Sequence, residues 1–239
     1  MKERADKVLA DLKLVASRSQ AKSLIEKGDV LVDGQVLKKA SELIHPDSKI
    51  EITAPLFVGR GAFKLEKALE EFNFLIKDKI YLDVGASTGG FTEILLKEGA
   101  AKVYAIDVGH DQLAQKLKDD PRVINLEGTN IRELTELPEL ADGAVMDLSF
   151  ISITKVLGQV GNLLKNNAPL MALVKPQFEA GIDRLPKDGV VKDENVRQQI
   201  LEEVISFAAS NHWSHQKTIP SPIQGKNGNI EFLVYFLKN

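Results

Sequence analysis

Two rhythms of apolar and polar positions divide this chain. In the first sixty residues, Val8, Leu9, Leu12 and Val15 recur at helical spacing and predict one short helix. Ser17 is placed as the N-cap of a second helix, with Gln20 three residues on in a capping-box arrangement. Leu24 and Ile25 supply that helix's apolar face, and Gly28 stands where a left-handed stop is wanted. In VLVDGQVL two β-rich runs flank Asp33-Gly34, a strong hairpin signal. KIEIT predicts one more strand, and Pro55 marks a linker.

From Lys79 onward the rhythm changes. Short apolar runs predict strands at KIYLDVG, KVYAID, RVINLEG, GAVMDLS, APLMALVK and NIEFLVYFL. Helical periods lie between most of them, at Phe91–Glu98, Ile153–Leu164 and Glu194–Asn211. Strands alternating with helices predict an α/β fold, a mostly parallel sheet with helices on both faces. Ligands of such sheets bind beyond the carboxyl ends of the strands.

Composition narrows the chemistry. None of the 239 residues is Cys, which removes disulfides, thiolate metal sites and Cys nucleophiles together. The charged N-terminus has no apolar run of signal-peptide length, and the longest clean apolar run is Ala168 to Val174, so no membrane insertion and a cytoplasmic location are expected. The net charge of −3 hides an asymmetry: residues 1–60 carry +2 and the remainder −5. That small excess hints at a separate partner-binding module.

The first strand of the α/β region ends in DVGASTGGFT, where Gly85, Gly89 and Gly90 let the chain turn sharply and a ligand approach the backbone. The dinucleotide fingerprint wants a glycine where Ser87 stands, and no Gly-Lys-Ser/Thr of a phosphate loop occurs. Asp83 would repel a pyrophosphate but suits a cationic ligand such as a sulfonium or an α-amino group. Asp107 ends the second strand, placed to accept hydrogen bonds from a ribose. Asp147, Lys175 and Glu231 each abut an apolar strand and should gather at one edge. Methylases of exocyclic amines typically carry Asn/Asp-Pro-Pro-aromatic after the fourth strand. Asp147-Leu148-Ser149-Phe150 here favours a hydroxyl acceptor.

The motifs SRSQAKSLIEKGDVLVDGQVL, GRGAFKLEKAL, DVGASTGGFT, DLSFIS, VKPQFE, DGVVKD and GNIEFL together resemble the TlyA family, bacterial proteins long labelled hemolysins. The resemblance covers roughly residues 3–60 and 60–238. It implies a small α+β RNA-binding domain of the ribosomal-protein S-four type over 1–53, a linker over 54–61, and over 62–239 a Rossmann-like class I methyltransferase of the FtsJ-like kind. The implied activity is 2′-O-methylation of ribose, on cytidine, in ribosomal RNA or ribosomal subunits, with S-adenosyl-L-methionine as cofactor.

The catalytic set of FtsJ-like enzymes maps onto Lys64, Asp147, Lys175 and Glu231. Lys64 comes from the resemblance alone, since a lysine beside Lys67 on a helix ordinarily faces water. Ala62 and Phe63 depart from the second glycine and leucine that many relatives carry before this lysine. Cofactor contacts are expected from Asp83, Gly85, Ala86, Ser87, Gly89, Gly90, Asp107, Asn130 and Asp147. RNA phosphates are expected at Arg4, Lys7, Arg18, Lys22 and Lys27, and at Arg184 and Lys187 in a mobile loop, though each of these could equally be a solvated surface charge.

His212 and His215 flank Trp213 in a way that raises a metal site, but no third ligand is apparent; no metal is expected, and Trp213 reads as packing. The competing functions are a membrane-active hemolysin, which lacks a transmembrane or convincing basic amphipathic segment, and an RNA-binding protein without catalysis, against which the intact Lys-Asp-Lys-Glu set weighs. Sequence leaves open whether Lys175 acts as a neutral base or as a cation, and the oligomeric state.

Overall fold

The computed structural model describes residues 2–15, 17–53 and 56–239. The chain divides into two units, Met1–Val58 and Gly59–Asn239; Pro55 lies outside the described residues.

In the first unit, β1 (Glu3–Arg4) leads into α1 (Ala5–Asp11) and α2 (Arg18–Lys27), followed by β2 (Val30–Val32), β3 (Gln35–Val36), β4 (Leu43–Ile44) and β5 (Ile50–Ile52). Ser17 Oγ accepts the Gln20 amide at 3.2 Å, and Gly28 closes α2 at φ 81°. Asp33 and Gly34 both take positive φ, which fits the two-residue turn to the strand twist and pairs Leu31 with Val36. Val8, Leu9 and Val15 join Ala21, Leu24, Ile25 and Val30 in the core. Leu12 does not: α1 ends at Asp11, the chain turns at Lys13 (φ 55°), and Leu12 is left 46% exposed. The two-residue pairing of β1 with β4 was too short to leave a periodic signal.

The second unit opens with α3 (Gly61–Glu71) and then alternates β6 (Ile80–Val84), α4 (Gly90–Lys97), β7 (Lys102–Asp107), α5 (Gln115–Lys118), β8 (Val123–Glu127) and β9 (Gly143–Met146). A 3₁₀ turn (Ile153–Lys155), α6 (Leu157–Asn162), β10 (Pro169–Val174), α7 (Pro176–Glu179), α8 (Gly181–Arg184), α9 (Glu194–Ala209), β11 (Trp213–Pro220), a 3₁₀ turn (Lys226–Gly228) and β12 (Phe232–Lys238) complete it. The seven strands lie in the order β11-β12-β10-β9-β6-β7-β8, parallel from β10 to β8 and antiparallel at β12 and β11.

Three sequence expectations change here. The helix expected over 153–164 is two pieces, broken where Val156 leaves helical geometry at φ −125°. A Cβ at Gly161, in the second piece, would meet the Trp213 ring at 3.5 Å, an ordinary van der Waals contact. Strand β11 was missed because SHQKT is polar: it is an edge strand whose only buried residue is Trp213, and a register shift interrupts it between His215 and Lys217. Glu231 precedes β12 rather than lying within it.

Topology explains why distant residues meet. The strand order reverses between β6 and β9, the switch point at which such sheets bind ligands. Because β12 runs antiparallel to β10, its first residue pairs with the last of β10, Phe232 with Val174. Glu231 and Lys175, the residues just outside that pair, therefore reach the same edge.

Candidate active site

Four charged side chains converge at this edge in an alternating row. Lys64 Nζ donates to Glu231 Oε2 at 3.2 Å and to Asp147 Oδ2 at 3.1 Å. Lys175 Nζ forms an ion pair with Asp147 Oδ1 at 2.6 Å and donates to Ser149 Oγ at 2.9 Å. Lys64, Lys175 and Glu231 are buried and Asp147 is nearly so. Isolated, each buried charge would be costly; arranged with alternating sign, each lysine has a carboxylate against it. Burial pushes the Asp147 carboxyl up, but the Lys175 and Lys64 cations outweigh it and hold the group below its ordinary value.

Lys64 is thus no solvated lysine. Helix α3 buries Ala62, Leu65 and Ala68, and Lys64 falls between them on the same inward face. A cleft of about 460 Å³ opens over the four charges, walled by Arg60, the glycine turn, Phe150, Gln177, Phe178 and the segment from Gln224 to Asn229. A second cavity of about 320 Å³ adjoins it, bounded by Ile106, Asp107, Val108, Gln112, Thr129, Ile131 and Leu148. Gly85, Ser87, Asp147, Ser149 and Phe150 belong to both.

The glycine turn is cut to fit. Gly85 has φ 89°, and a Cβ there would fall 2.7 Å from the Asp147 carbonyl oxygen. The β6 and β9 ends therefore approach backbone to backbone, which only glycine permits. We predict that Gly85→Ala raises the Kd for S-adenosylmethionine more than about tenfold, because the strain and the displaced Asp147 each exceed about 1 kcal/mol. Isothermal titration checks this.

The expected cofactor residues separate into two groups. Gly85, Ala86, Ser87, Gly90 and Asp147 line the larger cleft, and Asp107 the smaller one. Asp107 accepts Ser87 N at 2.8 Å and Gly109 N at 2.7 Å, so the carboxylate ties the two turns together. Gly89 lines neither cavity; its φ of 93° starts α4, and a Cβ would strike Leu117.

Asp83 and Asn130 line neither cavity. Asp83 is 1% exposed, and its Oδ2 accepts Thr92 N at 2.8 Å and Thr92 Oγ1 at 2.6 Å, pinning the first turn of α4 to the end of β6. Asn130 Oδ1 accepts Arg132 N and its Nδ2 donates to Glu133, capping a surface turn.

Burial raises the Asp83 pKa to about 7 against the Thr92 hydrogen bonds. Between the ordinary aspartate value and about 7, the folded state then holds a proton that the unfolded state has released, so stability falls as pH rises through that window. Asp83→Asn should remove this slope. In urea unfolding it should gain more than about 1 kcal/mol on wild type between pH 5 and pH 7.5.

Other motif residues lock the walls. Glu179, at the end of α7, accepts Ser152 Oγ at 2.5 Å and Ile153 N at 3.0 Å, joining VKPQFE to DLSFIS. Phe150 is 86% exposed in the left-handed region (φ 66°), its ring 5.2 Å from Phe178. A bulky residue held there is strained, a sign found at functional sites. Ser149, Phe150, Gln177 and Glu179 were missed as individuals, although all lie inside motifs the sequence displayed.

The segment expected to be a mobile loop is tied down. Asn229 donates to Gly189 O at 3.0 Å and accepts Val191 N at 3.2 Å, while Val191 packs with Ala180 and Ile200. Arg184 is engaged bidentately by Glu203 at 2.8 and 2.6 Å, and Lys187 is exposed.

The basic candidates of the first unit are mostly paired as well. Arg4 and Arg18 both bind Asp6, at 3.0 and 2.8 Å, and the hydrogen bond from Arg4, joined by that from Arg18, holds Asp6 at about 2 against burial. Lys7 pairs with Glu3 and Asp11, and Lys22 with Glu26; Lys27 is exposed at the end of α2. Among the described residues no cluster of His, Asp and Glu could hold a metal ion, and no helix is long and apolar enough to cross a membrane. His215 bonds Thr218 Oγ1 at 2.8 Å, and Trp213 is core.

Known proteins share this architecture. The family described as FtsJ-like methyltransferase matches residues 57–238, and the S4 domain family matches residues 3–50. The YqxC protein of Bacillus subtilis is 43% identical over 98% of this chain and 85% of its own. A Mycobacterium tuberculosis protein named 16S/23S rRNA (cytidine-2′-O)-methyltransferase TlyA is 40% identical over 97% of this chain and 88% of its own. A solved structure from Streptococcus thermophilus, named as a hemolysin, is 39% identical and superposes with a TM-score of 0.77, covering 100% of this chain and 89% of that one. With its S4 domain and its FtsJ-like methyltransferase domain, the chain belongs to the TlyA family.

Proposed function

We propose that this protein methylates the 2′-hydroxyl of a cytidine ribose in ribosomal RNA, using S-adenosylmethionine. The observation that carries the reading is the row Glu231–Lys64–Asp147–Lys175 at the junction of two cavities, with Lys175 at its end. The likeness to a protein named as an rRNA cytidine-2′-O-methyltransferase supports the nature of the acceptor.

The residues present fit the cofactor. Ile131, Leu148 and the exposed Val108 offer an apolar flank for an adenine, and the spare lone pairs of Asp107 suit ribose hydroxyls. Gly85, Ala86 and Ser87 offer backbone to the amino-acid end, and Asp147 lies near any cationic centre at the junction. Bound there, S-adenosylmethionine supplies a methyl group on an electrophilic sulfonium.

Lys175 holds the acceptor hydroxyl as a cation and stabilises the alkoxide left as the hydroxyl proton passes to water at the open mouth of the cleft, the form of the oxygen that takes the methyl. Asp147, kept ionised by the two lysines, and Ser149 aim Lys175 Nζ. Lys64 and Glu231 hold Asp147 in register, so that alignment of oxygen, methyl carbon and sulfur does most of the catalytic work. Arg4, Lys7, Arg18, Lys22, Lys27, Arg184 and Lys187 serve as phosphate contacts, and where they are paired, phosphates must compete with local carboxylates. Action on ribosomal RNA supports a cytoplasmic location.

The test is incubation with labelled S-adenosylmethionine and ribosomal subunits lacking the modification, followed by digestion and separation of nucleosides. The expected product is 2′-O-methylcytidine. Label in no RNA would refute the reading, and lysis of liposomes by the pure protein would favour a direct hemolysin.

A further inference from the structure

Glu231 is 3% exposed, and each of its oxygens has a different donor. Lys64 reaches Oε2, while Oε1 takes its hydrogen bond from Gln177 Nε2 at 3.2 Å. Gln177 is itself buried, in the first turn of α7, two residues after Lys175. Across from it the wall is backbone: a Cβ on Gly225 would fall 2.2 Å from Glu231 Oε1. Among the described residues, Gln177 is the side chain seen to donate to that oxygen.

The second half of the amide gives the clue. Gln177 Oε1 is buried and has no hydrogen-bond partner. Turning the amide over would set two oxygens against each other, so the carboxylate fixes which end faces it. An orphaned buried acceptor is a standing cost, and an apolar side chain of similar volume would avoid it. Among the described residues, the Glu231 carboxylate is the one hydrogen-bond partner seen for this amide.

We propose that Gln177 is a positioning residue of the methyl transfer. It acts on Lys64, Asp147 and Lys175 through the Glu231 carboxylate, holding that carboxylate in its orientation. The charged groups facing this arrangement are Lys64 from α3, Asp147 after β9, Lys175 before α7 and, at the rim of the cleft, Arg60. The proposal rests on the methyltransferase reading but adds a residue with no place in the Lys-Asp-Lys-Glu set.

Gln177→Glu is the decisive variant because it keeps the shape and replaces a donor by a carboxyl group. Two carboxyls at hydrogen-bond distance cannot both ionise readily, so the pair retains a proton to higher pH. The pH profile of single-turnover methylation should have its acid limb moved up by about one unit or more, with the Kd for S-adenosylmethionine unchanged. Gln177→Leu should lower kcat by about ten- to a hundredfold with KM for ribosomal subunits within about threefold, and Gln177→Met carries the same expectation if the leucine variant fails to fold.

A purely structural role would lower both rates without moving the limb. A Gln177→Glu profile that superimposes on wild type after scaling, or a Gln177→Leu enzyme of undiminished kcat, would overturn the proposal. Should wild type methylate no ribosomal RNA, the functional reading fails separately. Melting tests the Gln177–Glu231 contact apart from catalysis: the Tm of Gln177→Glu should drop relative to wild type as pH rises from 5 to 8, and parallel curves would refute the contact and the proposal with it.

Discussion

Lys175→Ala lowers the single-turnover rate of methylation by about a thousandfold, while the Kd for S-adenosylmethionine changes by less than about threefold. The expectation follows from where Lys175 Nζ sits. It is held by Ser149 and Asp147 at the end of the charged row, on the wall of the larger cleft but not of the apolar cavity assigned to the adenine. Truncation therefore removes a preorganised cation from the alkoxide that forms as the hydroxyl proton leaves, and it leaves the adenosine contacts alone. Rapid-quench methylation of ribosomal subunits and calorimetric titration of the cofactor measure the two halves independently. A variant within about tenfold of the wild-type rate would remove Lys175 from the chemistry.

Lys64→Met has the largest expected effect on stability. Among the described residues Lys64 is the only cation in hydrogen-bonding contact with Glu231, and it bridges Glu231 to Asp147. Removing one partner of a buried ion pair costs about 3–5 kcal/mol, because the remaining charge is left without compensation. For a unit of this size that corresponds to a loss of about 10 °C in Tm. Methylation should fall to background as well. Adding Glu231→Gln to Lys64→Met relieves the stranded charge, so the double variant should melt higher than the single one while remaining inactive. Thermal unfolding of the four proteins in the cycle provides the comparison, and additive losses would show that the two residues are not coupled.

The sheet could be foreseen because four of its five parallel strands, β6, β7, β9 and β10, are buried on both faces and read as continuous apolar runs. Strand β11 could not, because an edge strand with one anchoring tryptophan satisfies its exposed side with polar residues. Asp147 and Lys175 betrayed themselves by following apolar strands, and Glu231 by standing just before one. Lys64 gave no such sign: on a helix, one lysine facing inward leaves the same letters as one facing water, and only the family motif separated them. Asp83 shows the opposite error. An acid beside three glycines suggested a cation site, yet Asp83 lines neither cavity and its Oδ2 accepts twice from Thr92. Partner choice of this kind depends on side-chain geometry, which spacing does not encode. For the same reason the basic count of the first unit overstated its available charge, since Asp6 occupies two arginines at once.

The antiparallel last strand carries a consequence for biosynthesis. Lys64 and Glu231 lie 167 residues apart, and their contact can close only once β12 has emerged and paired with β10. A nascent chain halted before Glu231 can build the parallel strands, but it presents β10 as an open, wholly apolar edge. Such an edge invites pairing with other chains. The step that covers this edge also completes the row of charges, so the enzyme becomes competent at the moment it stops being prone to aggregate.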